Sequence, residues 1–522
     1  MKKLLKLSSL ALIAAMAISC GEDGIDGING ENGVDGTNGT DGQDFTPPTT
    51  ETIFENKSNL KPLVAMDSQF NFVETYSLVS SSDVLNFGGE DFRIGGGADG
   101  AGLLKTDTGY EYVVNFEDHF AVGRLTLDQN FNITDATYLL NSSVADYARQ
   151  CSGTMWEKDI HGGDKDLFLS ASEAFHFKVK GIDPLVETAT PTADFNLPAL
   201  GEFEWENAVP LPKNTYAGKT VIIGGDDDSS NSEGQVIMYY SENGDADLTG
   251  GKIYVLRVKQ VSDGAGNVID AAASTTYDES DFDFQETYDA EFVEIVNGAS
   301  LTQVEMETAC EDVNASHFMR VEDVDYQKGA EANASNVFFA VTGRGPGKGT
   351  YNDWGTVYKL ELDATNPLEG KLTQVISGNT SGINNGDGNL DLLQSPDNIC
   401  VTENYIYTQE DPNSFDRNHA AYIYQSDLNG NNPKKVLELV VRQDLAIDKS
   451  TGVSGEFGSL IDISDKVGEP DTFMLALQPH YWQSTEFAGV DGGTQSLEHP
   501  WIGSGEPYLE GSQIVIIKGL PR

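Results

Sequence analysis

The sequence predicts an all-β protein, a β-propeller of about six blades with irregular insertions, preceded by a disordered N-terminal stalk. Three observations support this fold. The chain has 55 glycines and 9% aromatic residues, a composition typical of many short strands joined by tight turns. From about residue 58, alternating apolar stretches end repeatedly in an acidic or polar turn. Helical periodicity is scarce, and only Ser143 to Gln150 and Val441 to Ile447 fit short helices.

The repeated stretches have a common form, in which a glycine or small residue precedes an alternating strand that closes on a polar turn. They are Val122–Asp128, Gly251–Val258, Gly355–Asp363 and Ala421–Asp427. Their repetition predicts four-stranded blades around an axis. Because their spacing is irregular, an array of β-sandwiches remains an alternative.

The N-terminus has the pattern of an export signal. Lys2, Lys3 and Lys6 precede the apolar run Leu10–Ile18, which is too short to span a bilayer. The small residues before Cys20 resemble a bacterial lipobox and predict lipidation of Cys20; an ordinary secretory peptide is the alternative. Glu22-Asp23 resembles the surface-export signals of Bacteroidetes-type lipoproteins. We therefore expect an outer-membrane lipoprotein that faces the periplasm or the cell surface.

Glycine occupies every third position from Gly21 to Gly42, as in collagen. The other positions hold mostly Asp, Asn, Glu, Ile and Thr without proline, so a flexible acidic stalk is a better interpretation than a stable triple helix. It ends in the linker Pro47–Thr50. The predicted organisation is a signal peptide at residues 1–19, a stalk and linker at 20–57, and one propeller domain at 58–522.

The charge balance excludes some partners. The chain has 32 basic and 83 acidic residues, a formal net charge of −51. Binding to nucleic acid or anionic lipid needs clustered Lys and Arg, so neither is an expected partner. We expect a monomer that contacts the membrane through the lipid on Cys20 only.

Three cysteines follow Cys20, namely Cys151, Cys310 and Cys400. Because their number is odd in an exported chain, one is expected to be free or bound to something other than a thiol. A disulfide between Cys310 and Cys400 is one option that the sequence leaves open.

Acidic residues recur at the ends of apolar strands. The stretch Ser395–Asp411 has Asp397 and Asn398 before the run Ile399–Tyr407 and Glu410-Asp411 after it. The same layout occurs at Val113–Glu117, Val221–Asp228 and Arg320–Val324. A strand can hold carboxylates beyond its ends in a shared polar site while its middle stays in a core. We therefore expect these ends to converge on hard metal ions.

Several of these stretches, taken in order, resemble motifs of the PhoX-type alkaline phosphatases, a family of propeller phosphomonoesterases that use calcium and iron. Together they are spread over nearly the whole chain from about residue 60. The stretches are Val114-Asn115-Phe116-Glu117, Gln150-Cys151-Ser152-Gly153, Leu167–Glu173, Gly201–Glu206, Gly225–Asp228, Arg320–Asp323, Ser395–Asn398 with Glu410-Asp411, and Gly455–Gly458 with Gln478-Pro479-His480.

The sequence also departs from that family. Phe116 and Trp205 stand where the family has histidine, Ala174 replaces a second glutamate after Glu173, and a long insert, Trp156–Lys165, follows the cysteine loop. The twin-arginine leader typical of the family is absent. These departures bear on metal occupancy and activity more than on the fold.

The resemblance implies calcium and iron cofactors and a small phosphorylated substrate. It implies iron ligation by Cys151 and Glu173 and catalytic roles for Arg320, which would bind phosphate oxygens, and Asn115. The other metal ligands that it implies are Glu117, Glu206, Asp226, Asp228, Glu322, Asp397, Glu410 and Glu456. Arg320 has a structural alternative, an ion pair with Glu322 or Asp323, and Cys151 could equally be a buried free thiol.

The expected function is hydrolysis of phosphomonoesters outside the cell. One alternative is a non-catalytic, calcium-stabilised surface binding protein that lost the iron site, which the changes at Phe116, Ala174 and Trp205 favour. A second alternative is a calcium-only, phytase-like hydrolase, in which Cys151 has no metal role.

Overall fold

The computed structural model describes residues 54–522 apart from 146, 174–177, 187–194, 229–232, 263–264, 266, 272–275, 345–351, 379–392, 413–419, 443, 446–454 and 499–505. All described residues belong to one unit, Glu51–Arg522. The predicted signal peptide, Cys20, almost all of the 20–57 stalk and Ala174 lie outside the described residues.

The described part of the chain forms short strands, as the alternating pattern predicts. In chain order they are β1 Val64–Met66, β2 Glu74–Ser80, β3 Leu85–Phe87, β4 Glu90–Phe92, β5 Ala98–Lys105, β6 Gly109–Phe116, β7 Ala121–Asp128, β8 Ile133–Leu140, β9 Gly153–Trp156, β10 Leu167–Ser170, β11 Lys180–Ile182, β12 Trp205–Pro210, β13 Thr220–Asp226, β14 Val236–Ser241, β15 Lys252–Val258, β16 Gln260–Ser262, β17 Val268–Asp270, β18 Thr287–Ile295, β19 Val321–Tyr326, β20 Asn336–Val341, β21 Thr356–Leu362, β22 Glu369–Ser377, β23 Pro396–Val401, β24 Tyr405–Glu410, β25 Tyr422–Asp427, β26 Lys434–Leu439, β27 Glu456–Asp462, β28 Thr472–Gln478 and β29 Gln513–Lys518.

Helices are few and short. The α-helices are α1 Ser142–Ala145, α2 Lys158–His161, α3 Gln303–Asp312 and α4 Ser464–Val467. The 3-10 turns are Ser68–Phe70, Glu117–His119, Pro198–Leu200, Glu279–Asp281, Gly298–Ser300, Glu331–Ser335, Thr485–Phe487 and Gln495–Leu497.

The strands pair into antiparallel sheets of mostly consecutive strands. Strands β5 to β8 form one four-stranded sheet in sequence order, and β9 to β11 form a three-stranded sheet. A nine-stranded sheet contains two such runs, β12 to β15 and β19 to β22, and β18 joins them by pairing with both β15 and β22. The remaining large sheets are β23 to β26 with β1 added at the edge, and β27 to β29 with β2 added at the edge.

The first strands of these runs lie next to one another around a common axis. Within the described residues, β5 contacts β9, β9 contacts β12, β12 contacts β19, β19 contacts β23, β23 contacts β27, and β27 contacts β5 again. We call these six strands the inner strands. Their arrangement is propeller-like, and it differs from the array of β-sandwiches that the sequence left open.

Two strands from the start of the described chain complete sheets that later strands form. β2 pairs with β29 from Glu74↔Lys518 to Ser80↔Gln513, and β1 pairs with β26. A strand from the start of the described chain thereby covers an edge that would otherwise leave backbone groups unpaired. Apolar side chains then fill the space between neighbouring sheets; Tyr112 and Val114, for example, share one fully buried cluster with Met474 and Ile514.

The alternating stretches of the sequence are confirmed as β7, β15, β21 and β25. The helix predictions are mostly wrong. Where a helix was predicted over Ser143–Gln150, the described residues form only the four-residue helix Ser142–Ala145. The described part of Val441–Ile447 has no helix. The longest described helix, α3, was missed, although Thr302 and Glu305 form a capping box at its start that the sequence pattern displays.

The stretch Ser395–Asp411 is a hairpin, not one strand with carboxylates beyond both ends. β23 and β24 pair antiparallel and turn at Thr402–Asn404. The turn brings the end of β24 back beside the start of β23, where the backbone N–H of Asp411 donates to the carbonyl of Ser395 at 3.0 Å. The two acidic ends of the stretch therefore lie at the same end of the sheet.

The cysteines after Cys20 are all free thiols. Cys151, Cys310 and Cys400 are buried, and none forms a disulfide. Cys310 packs among the side chains around β12 to β15, whereas Cys400 packs between the sheets of β23 to β26 and β27 to β29. The Cys310–Cys400 disulfide that the sequence left open is therefore wrong.

The close approach of neighbouring inner strands can be tested at Gly100, on β5. A Cβ atom at this position would lie 2.0 Å from the backbone nitrogen of Gly153 at the start of β9. Gly100→Ala should therefore lower the free energy of unfolding by about 1–3 kcal/mol, because backbone must move to relieve the overlap. Urea unfolding followed by tryptophan fluorescence measures this loss. Lys105→Ala, at the exposed end of the same strand, should change it by less than about 0.5 kcal/mol.

Candidate metal centre

One end of the inner strands surrounds a cavity of about 460 Å³ that we call the axial pocket. Its lining combines ten carboxyl groups with two arginines, one histidine, one thiol, one glutamine and one tyrosine: Asp99, Glu117, Asp118, Arg149, Cys151, Glu173, Glu206, Arg320, Glu322, Asp397, Asp411, Glu456, His480, Gln483, Tyr508 and Glu510. Side chains more than 400 positions apart in the sequence thus share one pocket.

The inner strands deliver their acidic residues at the same place. The first or second residue of five inner strands is a buried carboxylic acid, namely Asp99 on β5, Glu206 on β12, Glu322 on β19, Asp397 on β23 and Glu456 on β27. The sixth inner strand, β9, follows Cys151 by two residues. Each inner strand therefore contributes one potential metal ligand at the end that faces the axial pocket.

Local irregularities of the sheets accompany this placement. The pairing register shifts between Ala98 and Ala101, and at the corresponding positions of the other four acidic inner strands. An extra residue in one strand of a pair bends that strand and re-aims its side chains. Near the start of β5, β12, β19 and β23, the shift spans the acidic residue, so we attribute to it the orientation of that side chain toward the axis.

In β12, β19 and β23, the residue after the acid (Asn207, Asp323 and Asn398) links neighbouring inner strands through its side chain. The side chain of Asn398 donates to Asp99 at 3.2 Å and accepts from the hydroxyl of Ser152 at 3.1 Å. Asn207 donates to Asp323, whose second oxygen accepts from the backbone N–H of Ile399 at 3.0 Å. This polar floor fixes the spacing of the strand ends that carry the acids.

Loops between strands supply the rest of the lining. Glu117 and Asp118 stand on the 3-10 turn after β6, Asp411 follows β24, and His480 follows β28. The side-chain amide of Gln478 donates to Glu117 and to Glu456, each at 3.1 Å, and so bridges two sheets. Nδ1 of His480 lies 2.8 Å from Oε1 of Glu510.

Two arginines neutralise part of this charge. Nε of Arg320 donates to Asp227 at 2.7 Å, and its Nη2 lies 2.6 Å from Oε1 of Glu322. Arg149 forms ion pairs with Glu117, Asp118 and Glu173. The described lining nevertheless has ten carboxyl groups against two guanidinium groups and one imidazole.

The excess of negative charge perturbs the titration of the pocket. Burial, and then repulsion by neighbouring carboxylates, raises the pKa of Asp99, Glu206 and Asp397 well above its usual range. The pKa of Glu456 is raised to about 7, mainly by burial and by Asp411. Burial next to Glu173 and Glu206 likewise raises the pKa of the Cys151 thiol. Each of these groups is expensive to ionise without a positive charge nearby.

The donor set fits hard cations. Among the described residues, six groups of at least three donors have ligand atoms within 4.8 Å of one another, among them Asp99, Cys151 and Glu206, and also Asp411, Glu456 and His480. Oε2 of Glu206 is buried and has no hydrogen-bond partner among the described residues. A buried carboxylate oxygen without a donor is costly, and a metal ion would satisfy it.

Eight residues that the sequence predicted as site residues line the axial pocket. They are Glu117, Cys151, Glu173, Glu206, Arg320, Glu322, Asp397 and Glu456. The predicted ion pair of Arg320 with Glu322 is also present.

Four other predicted residues do not line the axial pocket. Asn115 is fully buried under it, and its amide donates at 2.6 Å to the carbonyl of Cys151. Glu410 accepts from the backbone N–H groups of Gln394 and Tyr422. Asp226 faces a separate small cavity. Asp228, two residues after the end of β13, is buried, and its carboxyl group repels that of Asp226.

Several pocket residues were missed by the sequence interpretation. Asp411 lines the pocket where Glu410 had been expected, because successive side chains along an extended chain point to opposite faces. Arg149 lies two residues before Cys151, but its ion-pair partners Glu117 and Glu173 come from other parts of the chain. Asp99, Asp118, Tyr508 and Glu510 follow no local pattern that separates them from other acidic or aromatic residues.

The two sequence changes that put metal binding in doubt lie outside the pocket lining. Phe116 packs in the fully buried cluster between the sheets, against the backbones of Gly95 and Gly123. Trp205 packs against Gly224 in another cluster. Both are packing residues here, so neither removes a ligand that the described lining would otherwise have.

A buried glutamate outside the pocket positions Arg320. Oε2 of Glu279 accepts from the backbone N–H of Met319 at 3.0 Å, and its Oε1 accepts from Thr356 at 2.8 Å and Tyr358 at 3.0 Å. Arg320 itself has a φ of 70°, in the left-handed region that is unfavourable for a non-glycine residue. The fixed Met319 peptide therefore helps to hold Arg320 in a conformation that its own backbone preferences oppose.

Comparison with known proteins gives one informative likeness. No protein-family model matches the sequence, and a search of curated proteins finds no match. Among solved structures, the chain is similar to Pseudomonas fluorescens PhoX in complex with vanadate, a transition state analogue, with a TM-score of 0.56, 13% identity, and coverage of 86% of this chain and 95% of that chain. At this identity the likeness establishes a PhoX-like fold and nothing finer.

Two other solved structures match over a smaller part of the chain. The catalytic domain of a Coprinopsis cinerea GH62 α-L-arabinofuranosidase has a TM-score of 0.30 at 9% identity, over 66% of this chain and 90% of that chain. A putative 6-phosphogluconolactonase from Bacteroides fragilis has a TM-score of 0.24 at 11% identity, over 64% and 82%. These scores are too low to support an inference.

The raised pKa values predict how stability depends on pH without metal. Burial is the main cause that raises the pKa of Asp227, Asp323 and Glu456 to about 7. These groups keep their protons in the folded protein while the unfolded chain loses them above about pH 4. The stabilising effect of protonation is therefore present at low pH and lost as the pH rises to about 7. In metal-free buffer, the melting temperature should fall between pH 4.5 and 7.5.

Glu456→Gln supplies the matched variant for this measurement, because it removes one of the titrating groups. The free energy of unfolding of this variant should fall less steeply with pH than that of the unaltered protein. The two slopes should differ by up to about 1.4 kcal/mol per pH unit over that interval. Scanning calorimetry at a series of pH values measures both proteins. Identical slopes would contradict the raised pKa of Glu456.

Proposed function

We propose that this protein is a metal-dependent phosphomonoesterase whose axial pocket binds calcium, and iron beside Cys151. The observation that carries this proposal is the convergence of ten carboxyl groups and one thiol, from all six inner strands and their loops, on a pocket that also has two arginines. The likeness of the fold to PhoX agrees with it. The same ring of inner strands supports a blade count of six.

The ligand assignment follows the grouping of the donors. Cys151 with Glu117 and Glu173 forms the group suited to iron, since a thiolate combines there with two carboxylates. Calcium prefers six to eight oxygen ligands, and Asp99, Glu206, Glu322, Asp397, Asp411 and Glu456 provide carboxylates for it. Asp226, Asp228 and Glu410 are not part of this assignment because they do not line the pocket.

The chain's own residues would bind and orient a phosphate ester. Bound cations would neutralise the phosphoryl oxygens and lower the pKa of a coordinated water, so a Ser or Cys nucleophile is not needed. Arg320, held by Asp227 and Glu322, would bind phosphate oxygens from the pocket wall. Asn115 would act as a positioning residue, because its amide holds the loop that presents Cys151.

A non-catalytic binding protein is the second candidate, and Arg149 is the observation that favours it. Its guanidinium pairs with Glu117 and Glu173, two members of the group assigned to iron. An arginine in this place neutralises the same carboxylates that an ion would. In this alternative, calcium stabilises the fold and no phosphate ester is hydrolysed.

The expected cellular context extends the proposal. Lipidation of Cys20 would attach the protein to the outer membrane, and the acidic glycine-repeat stalk would separate the propeller from it. Such a protein would act as a monomer on small phosphate esters in the periplasm or at the cell surface. Mass spectrometry of the protein purified from membranes would detect the lipid on Cys20.

Hydrolysis of p-nitrophenyl phosphate tests the enzymatic function directly. The calcium- and iron-loaded protein should hydrolyse it, and treatment with a chelator should abolish the activity. Glu206→Gln should lower kcat by about 10²–10³-fold, because it removes a carboxylate at the centre of the ligand set. Glu90→Gln, an exposed glutamate on β4, is the matched control and should leave kcat unchanged. Calcium binding without any hydrolysis would support the non-catalytic alternative.

The role of Cys151 can be separated from that of the carboxylates. Cys151→Ser replaces a thiolate donor by a weakly acidic hydroxyl of similar size, so iron content should fall below about one tenth of an equivalent per chain. Calcium content should stay the same. Elemental analysis of both purified proteins measures this. Full iron occupancy and full activity in the variant would remove Cys151 from the centre.

A further inference from the structure

A second acidic cavity lies beside helix α3, apart from the axial pocket, and we call it the helix-side cavity. Asp226, Glu233, Gln235 and Glu307 line it, together with Cys310 and His317. Its volume is about 10 Å³, which is room for one water-sized occupant. It lies between α3 and the described residues Asp226, Glu233 and Gln235, at the end of β13 and just before β14.

The alternation of side chains along the end of β13 separates the two sites. Asp227 pairs with Arg320 on the side of the axial pocket. Asp226 points the other way and lines the helix-side cavity. The sequence interpretation assigned Asp226 and Asp228 to the main metal cluster, and the structure places them away from it.

Gln235 supplies the observation that distinguishes this cavity from an ordinary acidic surface. Its side chain is 2% exposed, and its Nε2 donates to the carbonyl of Glu233 at 2.7 Å. That bond directs the amide so that Oε1 has no hydrogen-bond partner among the described residues. A buried carbonyl oxygen without a hydrogen-bond partner destabilises the fold, and a bound cation would remove this cost.

The charge around the cavity has the sign that a cation requires. Three carboxyl groups line it, and no described lysine or arginine does. Burial and neighbouring carboxylates raise the pKa of Glu233 and of Glu307.

We propose that the helix-side cavity binds one calcium ion through the carboxylates of Asp226, Glu233 and Glu307 and the carbonyl oxygen of Gln235. Carboxylate and amide oxygens suit calcium, which tolerates flexible geometry. The ion connects α3 to Asp226 at the end of β13 and to Glu233 and Gln235 just before β14. Its role is structural, and it does not depend on whether the axial pocket is catalytic.

Counting bound calcium tests this site. The full chain and Glu307→Gln are dialysed against the same free calcium concentration, and bound calcium is measured by elemental mass spectrometry. Glu307→Gln should bind one calcium fewer per chain and should hydrolyse p-nitrophenyl phosphate at the rate of the unaltered protein. Glu305→Gln, on the same helix but outside the cavity, should bind as many ions as the unaltered protein.

A second variant protects the test against a folding defect of the first. Gln235→Met removes the carbonyl oxygen and retains the volume, and it should likewise lose one calcium. If the axial pocket bound no calcium at all, the unaltered protein would still bind one ion and both variants none. Equal calcium contents in all proteins would overturn the proposal, as would stoichiometric zinc uptake that Cys310→Ser abolishes.

Discussion

Mutual repulsion among buried carboxylates is the constraint on which this structure depends. Ten carboxyl groups line one pocket, and burial is the main cause that raises the pKa of five of them, Asp99, Glu206, Glu322, Asp397 and Glu456. Two arginines and a histidine offset only part of this charge. A fold that concentrates acids in this way is stable at neutral pH only if positive charge enters the pocket or if some of the acids stay protonated. The proposed function and the pH dependence both follow from this condition.

The propeller-like arrangement explains how the chain assembles such a pocket. The inner strands begin at the end of the ring that faces the pocket. In the five inner strands that carry an acid, the pairing register shifts close to that acid. The polar floor of Asn207, Asp323 and Asn398 then links neighbouring strands below the acids. Close backbone contacts at Gly100 and Gly225 leave no room for a side chain between adjacent strands. The sheet packing therefore fixes the ligand positions before any ion binds.

The sequence was sufficient for the strand pattern and for half of the sixteen residues that line the pocket. Alternating stretches identify β7, β15, β21 and β25, because alternation is a local property of the chain. Eight residues that the resemblance to PhoX-type phosphatases implied as site residues line the pocket, and six of them are carboxylates. Which of two adjacent acids faces the axis was harder to predict. The choice between Glu410 and Asp411 depends on the turn at Thr402–Asn404, and Asp226 and Asp227 diverge because neighbouring residues of a strand face opposite sides.

Arg149 shows a different limit of the sequence. A single arginine beside a cysteine motif gives no sign that its guanidinium will pair with Glu117 and Glu173, because those partners come from other turns. Asp99 and Glu510 are similar, since only the closure of the ring brings β5 and the segment before β29 to the pocket. These contacts are products of tertiary structure. Local patterning could not have indicated them.

Anomalous diffraction from crystals grown with calcium and iron tests the central claim most directly. We predict anomalous peaks in the axial pocket, about 2.3–2.6 Å from oxygens of Glu206 and Asp397 for calcium, and an iron-edge peak next to Sγ of Cys151. The guanidinium of Arg149 should then have moved away from Glu117 and Glu173. A pocket that shows no anomalous signal, with Arg149 still between these two glutamates, would contradict the account.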